Sequence, residues 1–233
     1  MTLFALAHAC WLYARLTDDA IDVLRGKVGG DIPDIGRADQ RRAVIEFLNA
    51  WGCRQFATDY HALASQEMLD WGRKFLKDLP PPDKSLLTLT STAMDAFVPV
   101  FDDLKDRTAS YKGSGSTKHV VTFGATGAAK ILFVLRMNVF LPWDMKIRDT
   151  LDFGDSGAEY VRFLKHAQER LAEVLEDARR FDITPEGIPE AVDRRGVPLT
   201  KLLDEFHWVT ITRGCEAPDQ EELAKWVRWA RSG

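Results

Sequence analysis

The ten residues from Ile131 to Phe140, ILFVLRMNVF, restrict what this chain can fold into more than any other stretch. They are too apolar for a solvated surface element, yet Arg136 and Asn138 interrupt them well short of the roughly 18 apolar residues that a membrane span requires. The run therefore belongs inside a protein core, with the remaining chain wrapped around it. A length of 233 residues, 45% of them hydrophobic, supplies enough surrounding material to bury it.

What flanks the run gives it direction. Gly124 and Gly127 precede it, and Leu141-Pro142-Trp143-Asp144 closes it, followed by Lys146 and Arg148. Residues 122–148 thus read as one unit: a small-residue turn, a buried segment, and an aromatic beside an acid where the chain emerges. Glycines at a helix start permit close approach and positive φ, and the free N–H groups there suit a phosphate. In a plain buried helix the same glycines let a neighbour pack closely.

The surroundings have helical period. Leu3, Phe4, Ala7, Cys10, Trp11 and Ala14 share one face of an N-terminal helix, widened by Leu6, Leu12 and Leu16, and Thr17-Asp18-Asp19 caps a continuation through Ile21 and Leu24. Gly26 to Gly36 reads as a loop whose GKVGG lacks Walker spacing. Helices follow over 37–51 and 59–76, and Pro80-Pro81-Pro82 ends that block. A helix over 84–106, broken near Pro99, leads to the polar, basic loop Arg107 to Lys118. Ser156 with Glu159 forms a capping box for a helix reaching Arg180, whose buried stripe runs from Tyr160 to Ala178. Residues 181–198 are loop with a short helical turn, and a helix follows at 201–205. His207 to Arg213 alternates like a strand without a partner. Glu216-Ala217-Pro218-Asp219 opens a last helix with Leu223, Trp226, Val227 and Ala230 inward. The expected fold is all-α: a globular multi-helix domain over 1–233, with 78–84 the boundary if it divides into two helical lobes around the central unit.

Charge and cysteine content narrow the setting. A formal charge of −4 argues against a broad nucleic-acid-binding field but leaves 31 basic side chains for a local one. The apolar N-terminus lacks the basic region of a signal peptide, since Arg15 is the first arginine. Cys10, Cys53 and Cys215 form neither a disulfide framework nor a metal motif, so reduced cysteines in a cytoplasmic protein are expected, with no metal, no cofactor and no membrane partner.

The central unit resembles the helix-hairpin-helix DNA glycosylases, in which a glycine-rich hairpin precedes a helix that enters the core, and an aspartate begins the next helix and points into the substrate cleft. Here Phe123 to Ala128 stand in the hairpin and helix start, and Pro142 to Ile147 stand around the acid. Asp144 follows Gly124 by twenty residues. The likeness covers about 25 residues and departs from the family in three ways. No proline precedes the hairpin glycine, no four-cysteine cluster follows, and Thr126 occupies the position of the lysine nucleophile of bifunctional members. Lys130, one turn later, does not inherit that role. The resemblance implies a DNA glycosylase-like, base-processing or damaged-DNA-binding protein, monofunctional if catalytic, with Asp144 as the catalytic carboxylate. Gly124, Thr126, Gly127, Lys118, Trp143, Lys146, Arg148 and Arg213 are the expected nucleic-acid contacts, with Trp208 and Tyr111 as further stacking surfaces. An N-cap role alone also accounts for Asp144, and core packing accounts for Trp143. Two other readings stand beside this one: a non-catalytic helical protein that binds protein or nucleic acid, and an unrelated helical enzyme that gathers Asp144, Asp204, Glu205 and His207 in one pocket.

Overall fold

The computed structural model describes residues 1–17 and 20–231, apart from the side chains of Ser116, Gln220, Trp226, Val227, Trp229, Ala230 and Arg231. Its centre is α7 (Gly124–Leu135), in which every residue from Gly127 to Leu135 is buried. Gly124 starts the helix at φ 66°, where an added Cβ would meet open space, so glycine is demanded by conformation. Gly127 is there for room. A Cβ on it would come within 2.9 Å of Gln55 Nε2 and 3.4 Å of the Phe56 ring.

Around α7 lie α1 (Leu3–Leu16), α2 (Ala20–Val28), α3 (Ala38–Ala50), α4 (His61–Phe75), α5 (Ser91–Asp95) and α6 (Phe97–Asp106) on the N-terminal side. After it come α8 (Met145–Thr150), α9 (Gly157–Arg179), α10 (Ile188–Ala191), α11 (Leu199–His207) and α12 (Gln220–Arg231). Helices α3 and α6 pack on α7, α9 packs on α6, and α1 lies against α11. The fold is all-α with one minor sheet, β1 (Thr108–Lys112) paired antiparallel with β2 (His119–Thr122). Residues on both sides of 78–84 share one buried cluster, while Leu3, Leu6, Cys10, Val174, Ile188 and Leu202 form a second beneath α1. Among the described residues no helix is long and apolar enough to cross a membrane.

Several expectations are corrected. The buried stripe of α1 is Leu3, Leu6, Ala9, Cys10 and Tyr13; Phe4 and Trp11 are 44% and 49% exposed. Two interleaved apolar faces were available, and contact with α11 selects the one carrying Tyr13. Helix α2 runs on to Val28, into the expected loop. The break in 84–106 falls at Ala96, because Pro99 sits in the first turn of α6, where no N–H is needed. Part of the expected loop 107–118 is β1. A bulge between Thr108 and Ser110 turns both Ala109 and Ser110 inward, and Ser110 Oγ donates to Gln55 O at 2.7 Å. Trp208–Thr212 is a π-helical continuation of α11, with Arg213 N donating to Trp208 O at 3.0 Å, and not a strand.

The cap at Ser156 holds: its hydroxyl accepts from Glu159 N, and Glu159 reaches back to Gly154 N at 3.0 Å. Asp219 Oδ1 accepts from Glu222 N at 2.8 Å at the start of α12. The caps expected at Asp18 and Asp19 and the inward faces of Trp226, Val227 and Ala230 lie outside the described residues.

One departure matters for function. Helix α7 stops at Leu135, and residues 136–144 cross the core without helix or sheet. Buried backbone of this kind must find partners elsewhere. Leu86 N donates to Asn138 O at 2.8 Å, the Thr200 hydroxyl to Met137 O, and Tyr160 Oη to Leu141 O at 2.9 Å. Arg136 turns its guanidinium onto Pro80 O and Leu135 O. This segment delivers Asp144 to its position.

Candidate functional site

A cavity of about 310 Å³ opens at the seam between α1 and α11 on one side and α3, α7 and α8 on the other. Tyr13, Trp51 and Trp208 give it aromatic walls, with the Tyr13 and Trp208 rings edge to face at 5.4 Å. Among the described residues, Lys130, Asp144 and Asp204 are its charged lining.

Asp144 is the N-cap of α8: its Oδ1 accepts from Ile147 N at 2.9 Å. Oδ2 has no hydrogen-bond partner among the described residues. The carboxylate therefore caps with one oxygen and leaves the other unpartnered among the described residues, in a side chain that lines the cavity. Lys130 comes from the buried helix α7; its Nζ donates to Trp51 O at 2.5 Å and lies 5.0 Å from the centre of the Trp51 ring. Asp204, on α11, is 7% exposed, and its Oδ2 accepts from Lys201 Nζ at 2.9 Å. Burial pushes the Asp204 carboxyl up; Lys201 and Lys130 pull against this, and the Asp144 charge adds to it.

Behind Asp204 lies a buried ion network. Burial works against the Lys201 ammonium, but Asp204, Tyr13 and Glu205 outweigh it and hold the amine charged. Lys201 Nζ is 3.6 Å from Glu205 Oε1, and Arg194 binds both Glu205 oxygens, at 2.6 and 3.1 Å. The network fixes the side of α11 that reaches the cavity.

Asp144 and Asp204 thus share a cavity, but Glu205 and His207 do not line it. Glu205 is committed to Arg194 and Lys201. His207 is buried among aromatics, 5.8 Å from Phe163, and burial, with His166 and Arg170 nearby, drops its imidazole to about 3.

The other expected contacts are dispersed. Trp143 is wholly buried, stacked on Phe163 at 5.5 Å and close to Phe101 and Tyr160, so it offers no face to a nucleobase. Arg148 folds over that same indole at 5.3 Å. Lys146 donates to Thr212 O at 2.8 Å and Arg213 lies over Trp208 at 4.7 Å, which puts both beside the cavity wall. Lys118, Gly124, Thr126 and Gly127 do not line the cavity. Lys118 lies 4.4 Å over Tyr111, and Phe123 provides no side-chain cap for α7. Tyr111 is further covered by Tyr60 at 5.6 Å.

The residues that sequence reasoning missed are Tyr13, Trp51 and Lys130. Lys130 carried a usable signal: a lysine between Ala129 and Ile131 in an apolar helix must find a polar opening. Among the described residues no cluster of His, Cys, Asp or Glu is arranged to hold a metal. Searches against family models, curated proteins and solved structures gave no match.

Proposed function

We propose that the seam cavity hydrolyses an N-glycosidic bond, in the manner of a monofunctional DNA glycosylase, with Asp144 as the carboxylate that faces the sugar. The observation that carries this reading is the split duty of Asp144, one oxygen fixed by the backbone of α8 and the other unpartnered among the described residues, in a side chain that lines an aromatic-walled cavity. The order of elements supports it: helix α6, a hairpin, the apolar helix α7 and then a capping aspartate, with a two-stranded ribbon in place of a short hairpin. A base drawn out of its stack needs flat apolar walls, and Tyr13, Trp51 and Trp208 provide them.

In the step itself the bond between the anomeric carbon and the base nitrogen breaks, and the electron pair leaves with the base. The departing base takes its proton from water in the cavity, because Asp204 is engaged as a carboxylate by Lys201. Asp144 Oδ2 stabilises the positive charge developing on the sugar. A water oxygen then bonds to that carbon and its proton passes to Asp144. Thr126 has no amine to form an imine, and Lys130, held by Trp51 O, balances the acids. Lys146 and Arg213, beside the wall, are the phosphate contacts.

The test is release of free base from duplexes carrying a panel of damaged bases, with abasic analogues as binding probes, at low salt. Multiple-turnover release that falls about a hundredfold in Asp144→Asn, with the fold intact, is the expected result. Equal rates for the wild type, Asp144→Asn and Asp144→Ala would remove Asp144 from the chemistry. Tight binding without release would replace this reading with that of a non-catalytic binding protein, and neither binding nor release would end it.

A further inference from the structure

A second cavity, of about 460 Å³, lies at the opposite end of α3, against α4. Arg41, only 6% exposed, forms part of its wall. Arg41 Nε donates to Ser65 Oγ at 2.9 Å, and Nη1 donates to Ile35 O at 2.8 Å and Gly36 O at 3.0 Å. All three acceptors are neutral. No carboxylate of the described residues lies within 4.0 Å of the guanidinium, and its Nη2 has no hydrogen-bond partner among them. Hydrogen bonds of this kind satisfy donors but leave the charge uncompensated, and a buried charge without a counterion is costly.

The remaining lining makes the imbalance larger. Arg42 adds a second guanidinium to the wall, and His61, whose Nε2 lies 3.2 Å from Asn49 Nδ2 and from Phe56 O, lines it as well. The one acid there, Asp39, is already held by Arg37 at 3.2 and 2.7 Å, a contact that keeps its carboxyl below the usual range. Glu46, which senses both Arg42 and His61, is paired with Lys27 at 2.7 Å. Two guanidinium groups thus border a cavity whose nearby carboxylates are engaged elsewhere.

We infer that this cavity binds a phosphate group, whose oxygens accept from Arg41 Nη2 and from Arg42, with His61 and Ser65 alongside. Guanidinium pairs suit a multiply charged tetrahedral oxyanion, since each presents a planar fork of donors. The site is separate from the seam cavity. Arg41 and Ala50, which lines the seam, are nine residues apart on α3, about 13 Å along the axis. It stands whether or not the glycosidic reading holds.

Titration of the intact protein with inorganic phosphate, followed by amide and arginine side-chain nuclear magnetic resonance against chloride at equal ionic strength, tests the assignment. Saturable shifts at Ala62, Ser65 and the Arg41 and Arg42 Nε groups are expected, and Arg42→Glu should weaken binding about tenfold or more. Arg42 is exposed and makes no hydrogen bond among the described residues, so this variant folds normally, which a melting curve verifies. Arg41→Lys, which keeps the charge but loses the fork, should also weaken binding. Absence of saturation, equal shifts with chloride, or unaltered affinity in Arg42→Glu would overturn the proposal. A nucleoside monophosphate and a single-stranded oligonucleotide separate the sources: tighter binding of the first identifies a free phosphate ester, and tighter binding of the second identifies a nucleic-acid backbone.

Discussion

The two cavities are built from similar side chains and treat charge in opposite ways. At the seam, Lys201 lies between Asp204 and Glu205, Arg194 lies on Glu205, and Lys130 senses the same carboxylate as Asp144. Among the described residues, each buried acid behind that cavity has a cation of the same chain beside it. At the far end of α3, Arg41 is almost as buried, yet its partners are carbonyl oxygens and a hydroxyl. Burial of charge alone therefore does not distinguish a structural network from a binding site. The distinction lies in whether the protein supplies the counterion.

The largest expected effect tests the balanced side. Lys201→Met leaves Asp204 and Glu205 facing each other in the core and should cost about 3–5 kcal/mol in urea denaturation. Arg41→Met removes an uncompensated charge along with its hydrogen bonds, and about 1–3 kcal/mol is expected. A Lys201 loss no larger than that of Arg41 would break the comparison. Next in size is the drop of about a hundredfold in base release for Asp144→Asn. Asp144→Ala should additionally lose the cap, about 1 kcal/mol of stability.

A smaller effect concerns a third solution, a titratable group kept neutral by burial. His207 has its pKa lowered to about 3, against an ordinary value of 6.5, so the folded state binds its proton less readily than the unfolded chain. Its contribution is complete above pH 6.5 and is lost as pH falls toward 3, at about 1.4 kcal/mol per unit. Asp204 and Glu205, pushed up by burial, act in the opposite sense, gaining stability as pH falls through their folded values. Comparing the wild type with His207→Phe between about pH 5 and 6.5 isolates the histidine, because the carboxyl terms are common to both. A stability difference that stays constant with pH would show that His207 binds its proton as readily in the fold as in the unfolded chain. The smallest change is in the stability of Arg42→Glu, within about 0.5 kcal/mol of wild type.

Sequence periodicity revealed the helices well because their buried stripes are long: α9 has its cap at Ser156 and its inward residues in the expected places. It failed where two faces were equally apolar, as on α1, and where tertiary contacts overrode local pattern, as at Ser110 in β1. At the site, Asp144 was legible because capping leaves a signature of residue type and position. Asp204 was named beside Asp144 only together with Glu205 and His207, which do not line the cavity, and the place of Lys130 there was not legible, since it depends on α7, α8 and α11 meeting at one seam. Trp143 misled for a physical reason. Large amphipathic rings suit both a stacking platform and a core, and only the positions of Phe101, Tyr160 and Phe163 decide between them.

The non-helical crossing at 136–144 also bears on the order of events in folding. Its carbonyls are satisfied from Leu86, Tyr160 and Thr200, so it has little to gain until segments on both sides of it in the chain have docked. Contacts closed over such sequence distances tend to form late, after the transition state. Tyr160→Phe should therefore speed unfolding while leaving the refolding rate nearly unchanged; a slowed refolding limb would place this contact in the nucleus. On this account the carboxylate at the end of the crossing is among the last groups to reach its place, and the seam cavity is complete only when the fold nearly is.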